Sequence, residues 1–589
     1  MEFNTKKKKI AILGGGPSGL FSFKRLVEAN RTDFEIHIFE VKKQLGAGMP
    51  YSHDGANKEH VTNVSDNEIP EIVTSISEWI QTLPEETLEK FKIDISSFNE
   101  FKVLPRLLFG QYLSAQFDLL IQQAQIAGIQ THIHSGTKIL NITDQPEKSF
   151  VQIETDTNGT FEFDCIIICT GHNWPKKNEG VVEGYFDSPY PPAKLAFKAN
   201  HPVAIRGSSL TAIDAIRTLS RKNGAFHKDE TNGKLSFKVN DDSPDFRLVM
   251  HSRNGLLPAV RFHLEEPLVS TDSLLSQEEI DQNIAENDGF LSLDFIFEKD
   301  FKETLKDKDP EFYNRIKNQS IEDFVNSMMD MREKTDPFIL FKQEYDEAAQ
   351  SIRKRESIHW KEMLAVLSFA MNYPAKYLSA EDMLRLQKVL MPLISIVIAF
   401  VPQSSCEELL ALHDAGKLEI ISVGSDSSVE PDKSGGANCL FNDEAGNPKK
   451  DYYPTFVDCI GQPHLSFEDF PFKGLLDNKS ISPAFIQFRS ATEAAKQIEE
   501  GNKKVSQDKN GDYYLQVPGI RINDNFQVVN ESGKKNSRIY IMAVPYIGGY
   551  NPDYSGLDFC EEASESIVNS IQDTFQIEGF SATSIPESI

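Results

Sequence analysis

A short set of residues near the N-terminus has types and a spacing that suit one kind of ligand. Gly14, Gly16 and Gly19, with Ser18 among them, form a G-x-G-x-x-G turn between the apolar run Lys9 to Leu13 and a helical stretch around Leu20 to Ala29. In that setting bare backbone N–H groups and the positive end of a helix meet a pyrophosphate with no side chain in the way. Glu40 stands 21 residues after Gly19, where the alternating stretch Phe34 to Phe39 ends. A carboxylate there accepts hydrogen bonds from a ribose diol. Strand, glycine turn, helix, strand and acid together predict a dinucleotide site.

A second, looser cycle follows. Val203 to Ile205 reads as a strand, Gly207-x-Ser209-x-Thr211 as a turn of small residues, and the next stretch as a helix to about Arg221. Ser and Thr still allow close approach and add hydroxyl donors for phosphate. The next strand, Phe246 to His251, is followed by Ser252 and Arg253 instead of an acid. A guanidinium there suits a 2′-phosphate, so NADPH is expected over NADH, with a structural ion pair as the alternative role of Arg253.

The elements that must position these residues form a definite order. Val41 to Ile69 is rich in Gly, Asn and Asp and reads as a long functional loop. Ser75 to Leu83 and Arg106 to Ala127 read as helices, Thr131 to His134 and Val151 to Glu154 as strands, and Phe163 to Cys169 as a buried strand ending in Thr170-Gly171. Asn232-Gly233 marks a surface hairpin. Between Leu264 and Met391 strand signals nearly vanish, while Phe312, Ile316, Ile321, Phe324 and Met328 recur at helical spacing. Strand signals return at Leu418 to Val423, Tyr453 to Ile460 and Ile539 to Ala543, before a closing helix after Gly556. The expected fold is α/β, with two Rossmann-like dinucleotide-binding domains and a helical insert. Residues 1–198 and 451–589 would form the first dinucleotide-binding domain, the FAD-binding one under the resemblance given below, 199–263 and 396–450 the second, NAD(P)H-binding one, and 264–395 the insert.

Composition narrows the function. Among 589 residues, 61 Lys and Arg face 88 Asp and Glu, a formal charge of −27. Such a surface repels nucleic acid, and the run Lys6 to Lys9 reads as a solvated flank. The N-terminal residues have no apolar core of a secretory signal, and the longest apolar run, Met391 to Val401, is short of the roughly twenty residues a span needs. A cytoplasmic protein without membrane attachment is expected. The six cysteines include no Cys-x-x-Cys, and Cys165 and Cys169 would lie about 13 Å apart along a strand, too far to bridge. Asp508, Asn510 and Asp512 have calcium-loop spacing, but Gly519 stands where a bidentate Glu is required, so a hairpin is expected. His132 and His134 share a strand face with no further ligand evident, so no metal site is expected.

These residues resemble flavoproteins with two dinucleotide-binding domains, a group that includes flavin-containing monooxygenases and amine N-hydroxylases. More narrowly, the chain is similar to the bacterial FAD/NAD(P)-binding family that includes FAD-dependent urate hydroxylase. The resemblance rests on Gly14 to Gly19, Glu40, Leu45 to Ser52, His60 to Val64, Pro105-Arg106, Cys169 to His172, Gly207 to Asp214, Ser252 to Pro258 and Ala415 to Leu418, and leaves the helical insert nearly uncovered. It implies FAD pyrophosphate on Gly14, Gly16 and Gly19, and adenosine ribose on Glu40. It implies a loop through Gly46, Gly48 and Asn63 along the cofactor, with Arg106 beside it. Thr170-Gly171 would lie under FAD, Asp458 to Gly461 would be their counterpart, and the helix beginning near Leu557 would point at the flavin. A Gly-Asp pair common near the end of many FAD enzymes is absent before Pro545, and no Baeyer-Villiger motif or dithiol is present.

The expected activity is that of an FAD-dependent, NAD(P)H-oxidising monooxygenase acting on a small molecule, with molecular oxygen as co-substrate and a peroxyflavin as oxygen donor. The alternatives are a flavin oxidoreductase passing hydride to a soluble acceptor, and a flavin-holding sensor whose helical insert binds a protein partner. The cofactor carries the chemistry, so no triad is expected and no catalytic residue is assigned. His172 is divided between catalysis and packing, and Trp174 is expected to pack.

Overall fold

Residues Lys8–Leu13 form a strand whose last four members, Ile10 to Leu13, are fully buried. A continuous apolar run of this kind belongs to a parallel sheet covered on both faces. In the computed structural model, which describes residues 7–157, 159–264, 275–550 and 554–583, it is central to a six-stranded sheet. Lys6 and the opening of the expected insert, 265–274, lie outside the described residues. The sheet order is Gln527–Val529, Lys535–Ile541, Cys165–Ile168, Lys8–Leu13, Phe34–Glu40 and Gln130–Ser135, parallel except at the first pair. Helix Pro17–Glu28 follows the first glycine turn with Pro17 at its start, where a missing N–H costs nothing. It packs on helices Arg106–Ile126 and Gly556–Thr583, with Phe23 stacked on Phe117 and Lys24 paired to Glu561 at 2.8 Å.

The second sheet has five parallel strands in the order Tyr185–Phe186, Thr455–Asp458, Pro202–Arg206, Arg247–Ser252 and Leu418–Ser422. Two of these strands cross the boundaries expected from sequence: Tyr185–Phe186 falls before residue 199 and Thr455–Asp458 after residue 450. The single strand expected over Tyr453 to Ile460 is two strands. Pro448–Tyr453 pairs antiparallel with Ala437–Asn442, and Thr455–Asp458 joins the parallel sheet. Pro454 separates them, because a residue without an N–H cannot continue the ladder.

The insert runs through successive helices from Gln277–Glu286 to Met391–Val397. Phe312, Ile316, Ile321 and Phe324, which carry its periodicity, are buried in one apolar core continuous with that of the first sheet. Phe338 and Phe341 of the same insert pack into the core of the second. The periodic face therefore holds the molecule together and is not offered to a partner. The Asn232-Gly233 turn closes a hairpin of Gly224–Lys228 with Leu235–Val239, and Asp508 closes another by accepting the N–H groups of Asn510 and Asp512. No helix among the described residues is long and apolar enough to cross a membrane.

Candidate cofactor site

The first glycine turn is shaped by close backbone approach. Gly14 has φ +119°, and a Cβ there would sit 2.5 Å from the Cys169 carbonyl oxygen at the end of the adjacent strand; a Cβ on Gly19 would overlap the Gly14 carbonyl oxygen. Gly48 covers Gly16, whose added Cβ would be 3.2 Å from the Gly48 Cα. Gly46 donates its N–H to the Gly15 carbonyl at 2.7 Å and lies against the Leu113 carbonyl of helix Arg106–Ile126. The loop after Glu40 is thus clamped onto the turn by glycines. Glu40 ends its strand with Oε2 accepting the Gly15 N–H at 2.7 Å and Oε1 accepting the Lys42 N–H at 2.9 Å. Each oxygen keeps a second lone pair, which is what a ribose diol needs.

Polar atoms without partners lie on the elements touching this turn. Thr170 Oγ1, one residue beyond Cys169, and Asp558 Oδ1, in the first turn of the closing helix, are buried and unbonded. Burial, with Glu68, Glu562 and Glu561 nearby, pushes the Asp558 carboxyl up to about 7. Leu557 is buried beside it, and Ser18 Oγ meets Cys560 Sγ at 3.4 Å, so the closing helix is seated against the helix that leaves the turn. No atom lies within 4 Å of a Cβ built on Gly171. A glycine cradle, a carboxylate with lone pairs to spare and orphan polar atoms fit an extended dinucleotide.

The second turn repeats the first. Gly207 has φ +107°, and its added Cβ would lie 2.8 Å from the Cys459 carbonyl oxygen, as Gly14 faces Cys169. Ser209 caps helix Leu210–Asn223 by position with its hydroxyl exposed and unused by the cap, and Thr211 lies one residue inside. Arg253 is exposed just past strand Arg247–Ser252, while burial pushes the neighbouring His251 imidazole down to about 4.

Two expected residues also take part in contacts between distant segments. Arg106 donates from Nη1 to Asp214 Oδ2 at 2.5 Å and from Nε to the Val61 carbonyl at 3.0 Å, so its guanidinium joins the two domains. The same Asp214 oxygen accepts the Tyr190 hydroxyl at 2.7 Å. Asn63 lies in strand Val61–Ser65, and its carbonyl accepts from Arg261, which also pairs with Glu68. Fully buried His60 accepts the Asn57 N–H on Nδ1 at 3.0 Å, which leaves Nε2–H to donate to the Asp214 carbonyl or Thr218. His60 and Asp214 both lie in stretches that carried the resemblance, but their meeting had no sequence signal.

Where the chain crosses between domains, Gln462 exchanges hydrogen bonds with Asn173, accepting its N–H and donating to its carbonyl, each at 2.8 Å. Trp174 donates to the Gly461 carbonyl at 3.1 Å and stacks on His172, whose imidazole burial keeps below its ordinary range. Beyond Glu40, a cavity of 890 Å³ is bordered by Lys42, Tyr51, Lys58, Lys90, Pro105 and Arg221, a cationic patch on an acidic protein.

The FAD-NAD(P)-binding family matches residues 11–173, the segment that holds the first turn, Glu40 and Thr170. Residues 11–173 are thus similar to FAD-NAD(P)-binding proteins, in keeping with FAD and NAD(P)H as the cofactors. The YdhS-like middle domain matches residues 276–398 of this chain, which is the helical insert. It is 27% identical over 572 residues to the uncharacterized protein YdhS of Escherichia coli (strain K12), covering 96% of this chain and 97% of that one. Among solved structures it is similar to an ornithine N-hydroxylase of Kutzneria sp. 744, at 12% identity and TM-score 0.45, covering 97% of this chain and 100% of the other. It is also similar to the bacillithiol disulfide reductase of Staphylococcus aureus, at 10% identity and TM-score 0.40, covering 97% and 99%.

Proposed function

We propose that the protein is an NADPH-dependent, FAD-dependent monooxygenase acting on a small organic molecule. When bound, FAD takes a hydride from NADPH and delivers electrons to dioxygen. The overall balance is substrate, O₂, NADPH and a proton giving hydroxylated substrate, water and NADP⁺. Residues of the first turn hold the pyrophosphate, Glu40 orients the ribose, and Arg253 selects the phosphorylated nicotinamide cofactor. Arg106 and Asp214 keep the two cofactor sites in one orientation.

The observation that supports this reading is the state of the cysteines beside the first turn. Cys169 and Cys560 are buried, and burial pushes both up to about 12. A disulfide relay works through a thiolate, which these positions disfavour, so the burial of both thiols weighs against a relay through them and suits direct transfer of electrons to dioxygen. The coupling stoichiometry tests the reading. A substrate panel in which NADPH and oxygen disappear one for one with a hydroxylated product supports it. NADPH oxidation coupled to reduction of a soluble acceptor, with no oxygen incorporated into any product, replaces it with the oxidoreductase reading.

A further inference from the structure

The edge of the first sheet brings together a ligand set that no single segment contains. His37 and His132 are direct partners on the neighbouring parallel strands Phe34–Glu40 and Gln130–Ser135, so their side chains leave the same face. Glu35, two residues before His37, shares that face. Its Oε1 lies 2.9 Å from His37 Nε2 and 3.4 Å from His132 Nε2, and the three ligand atoms are all within 4.8 Å of one another. We propose that Glu35, His37 and His132 bind one borderline divalent cation, zinc by its preference for nitrogen and oxygen ligands, with water completing a tetrahedron.

Metal–nitrogen and metal–oxygen bonds of about 2.0–2.2 Å in a tetrahedron set ligand atoms about 3.3–3.5 Å apart. Of the two carboxylate–imidazole distances, the 3.4 Å to His132 falls in that range and the 2.9 Å to His37 is a hydrogen bond that lengthens when the ion enters. The histidine rings stack at 4.5 Å between centroids and 29° between planes, so the ion draws His132 round toward Glu35. That side chain is 39% exposed and has room to turn, and its open side admits the water. His37 is buried, so its ring is held in place by the packing around it. An imidazole that binds a metal through one nitrogen keeps one proton on the other. With Nε2 on the metal, that proton sits on Nδ1, which lies 3.0 Å from His134 Nε2. His134, stacked on Phe39 at 4.3 Å, then accepts it and fixes the ring, in the place that a carboxylate, carbonyl or water more often takes. The ion displaces the contact of the Gln130 side-chain amide with His132 Nε2 and the approach of Lys9 Nζ, 4.0 Å from Glu35.

The site lies on the outermost strand of the sheet and joins it to the strand that ends in Glu40. A metal there cross-links the outermost strand to its neighbour through their side chains. Chelator-treated, flavin-loaded full-length protein is dialysed against buffered Zn²⁺, and bound zinc is counted by elemental analysis. One zinc per chain is expected, with affinity falling at least hundredfold in His132→Ala and Glu35→Gln and ten- to a hundredfold in His134→Ala. His227→Ala, on the exposed hairpin, binds as the parent does. His132 is partly exposed, so its variant reports on the site even where a His37 variant fails to fold. Zinc uptake below one tenth per chain, or uptake equal in the parent and His132→Ala, overturns the proposal.

Discussion

Arg106 and Asp214 meet at 2.5 Å across the two dinucleotide-binding domains, one at the start of the helix that follows the clamp loop, the other on the helix after the second glycine turn. Burial alone would push the Asp214 carboxyl up. The Arg106 guanidinium, the His60 imidazole and the Tyr190 hydroxyl outweigh it, and the carboxyl stays below its ordinary range. Replacing Asp214 by Ala leaves a buried, unpaired guanidinium. A loss of about 3–5 kcal/mol is expected in urea unfolding of the flavin-loaded protein, and Arg106→Met in the same chain recovers part of it. Because the folded carboxyl titrates below its unfolded value, this contribution is present above about pH 4 and lost as pH falls further.

Gly14→Ala and Gly19→Ala place a Cβ against the Cys169 and Gly14 carbonyls, with positive φ adding strain at residue 14. Both variants are expected to purify with less than a tenth of the parental flavin, read as the ratio of flavin to protein absorbance. Circular dichroism checks that they fold. Near-parental flavin content in both would remove the first turn from the cofactor site.

Arg253→Ala removes the exposed guanidinium at the end of strand Arg247–Ser252. A charge-assisted hydrogen bond contributes about 1.5–3 kcal/mol, so kcat/KM for NADPH is expected to fall about ten- to a hundredfold. The NADH value should stay within about twofold, since a ribose diol makes no use of the charge. Anaerobic stopped-flow reduction with each nucleotide measures the split.

Asp300, buried in the helical insert, has Oδ1 accepting the Leu275 N–H at 3.1 Å and Oδ2 unpartnered. Burial pushes its carboxyl up to about 7. The folded state therefore holds this proton more tightly than the unfolded one. Stability is greatest below about pH 4 for this group and declines as pH rises to about 7, by at most about 4 kcal/mol. Asp300→Asn is expected to flatten that slope and to be more stable than the parent at pH 8, measured by thermal unfolding across pH.

The local chemistry was legible in the sequence because each part of it is local. A buried strand, a turn needing glycine and a helix fit within about twenty residues, so Gly14, Gly16, Gly19 and the acid Glu40 declared a dinucleotide site by spacing alone. The second turn was legible for the same reason, as were the hairpin at Asn232-Gly233 and the helical character of the insert. Pro454 shows where local reading failed: an alternating run looked like one strand, but a missing N–H divides it between two sheets.

The tertiary structure decided what depends on register and on the meeting of distant segments. Arg106, expected beside the cofactor, pairs with Asp214, 108 residues away, a contact its place in the sequence did not announce. The periodic face of the insert read as a possible partner surface until the shared core covered it. His132 and His134 lacked a further ligand within their own strand, and the parallel register set His37 opposite His132 and brought Glu35 within reach. Backbone geometry and hydrophobic period are properties of neighbouring residues and can be read along the chain. Which charge meets which, and which imidazole faces which carboxylate, is fixed only when strands pair and helices pack, because those contacts join positions whose separation in sequence carries no signal.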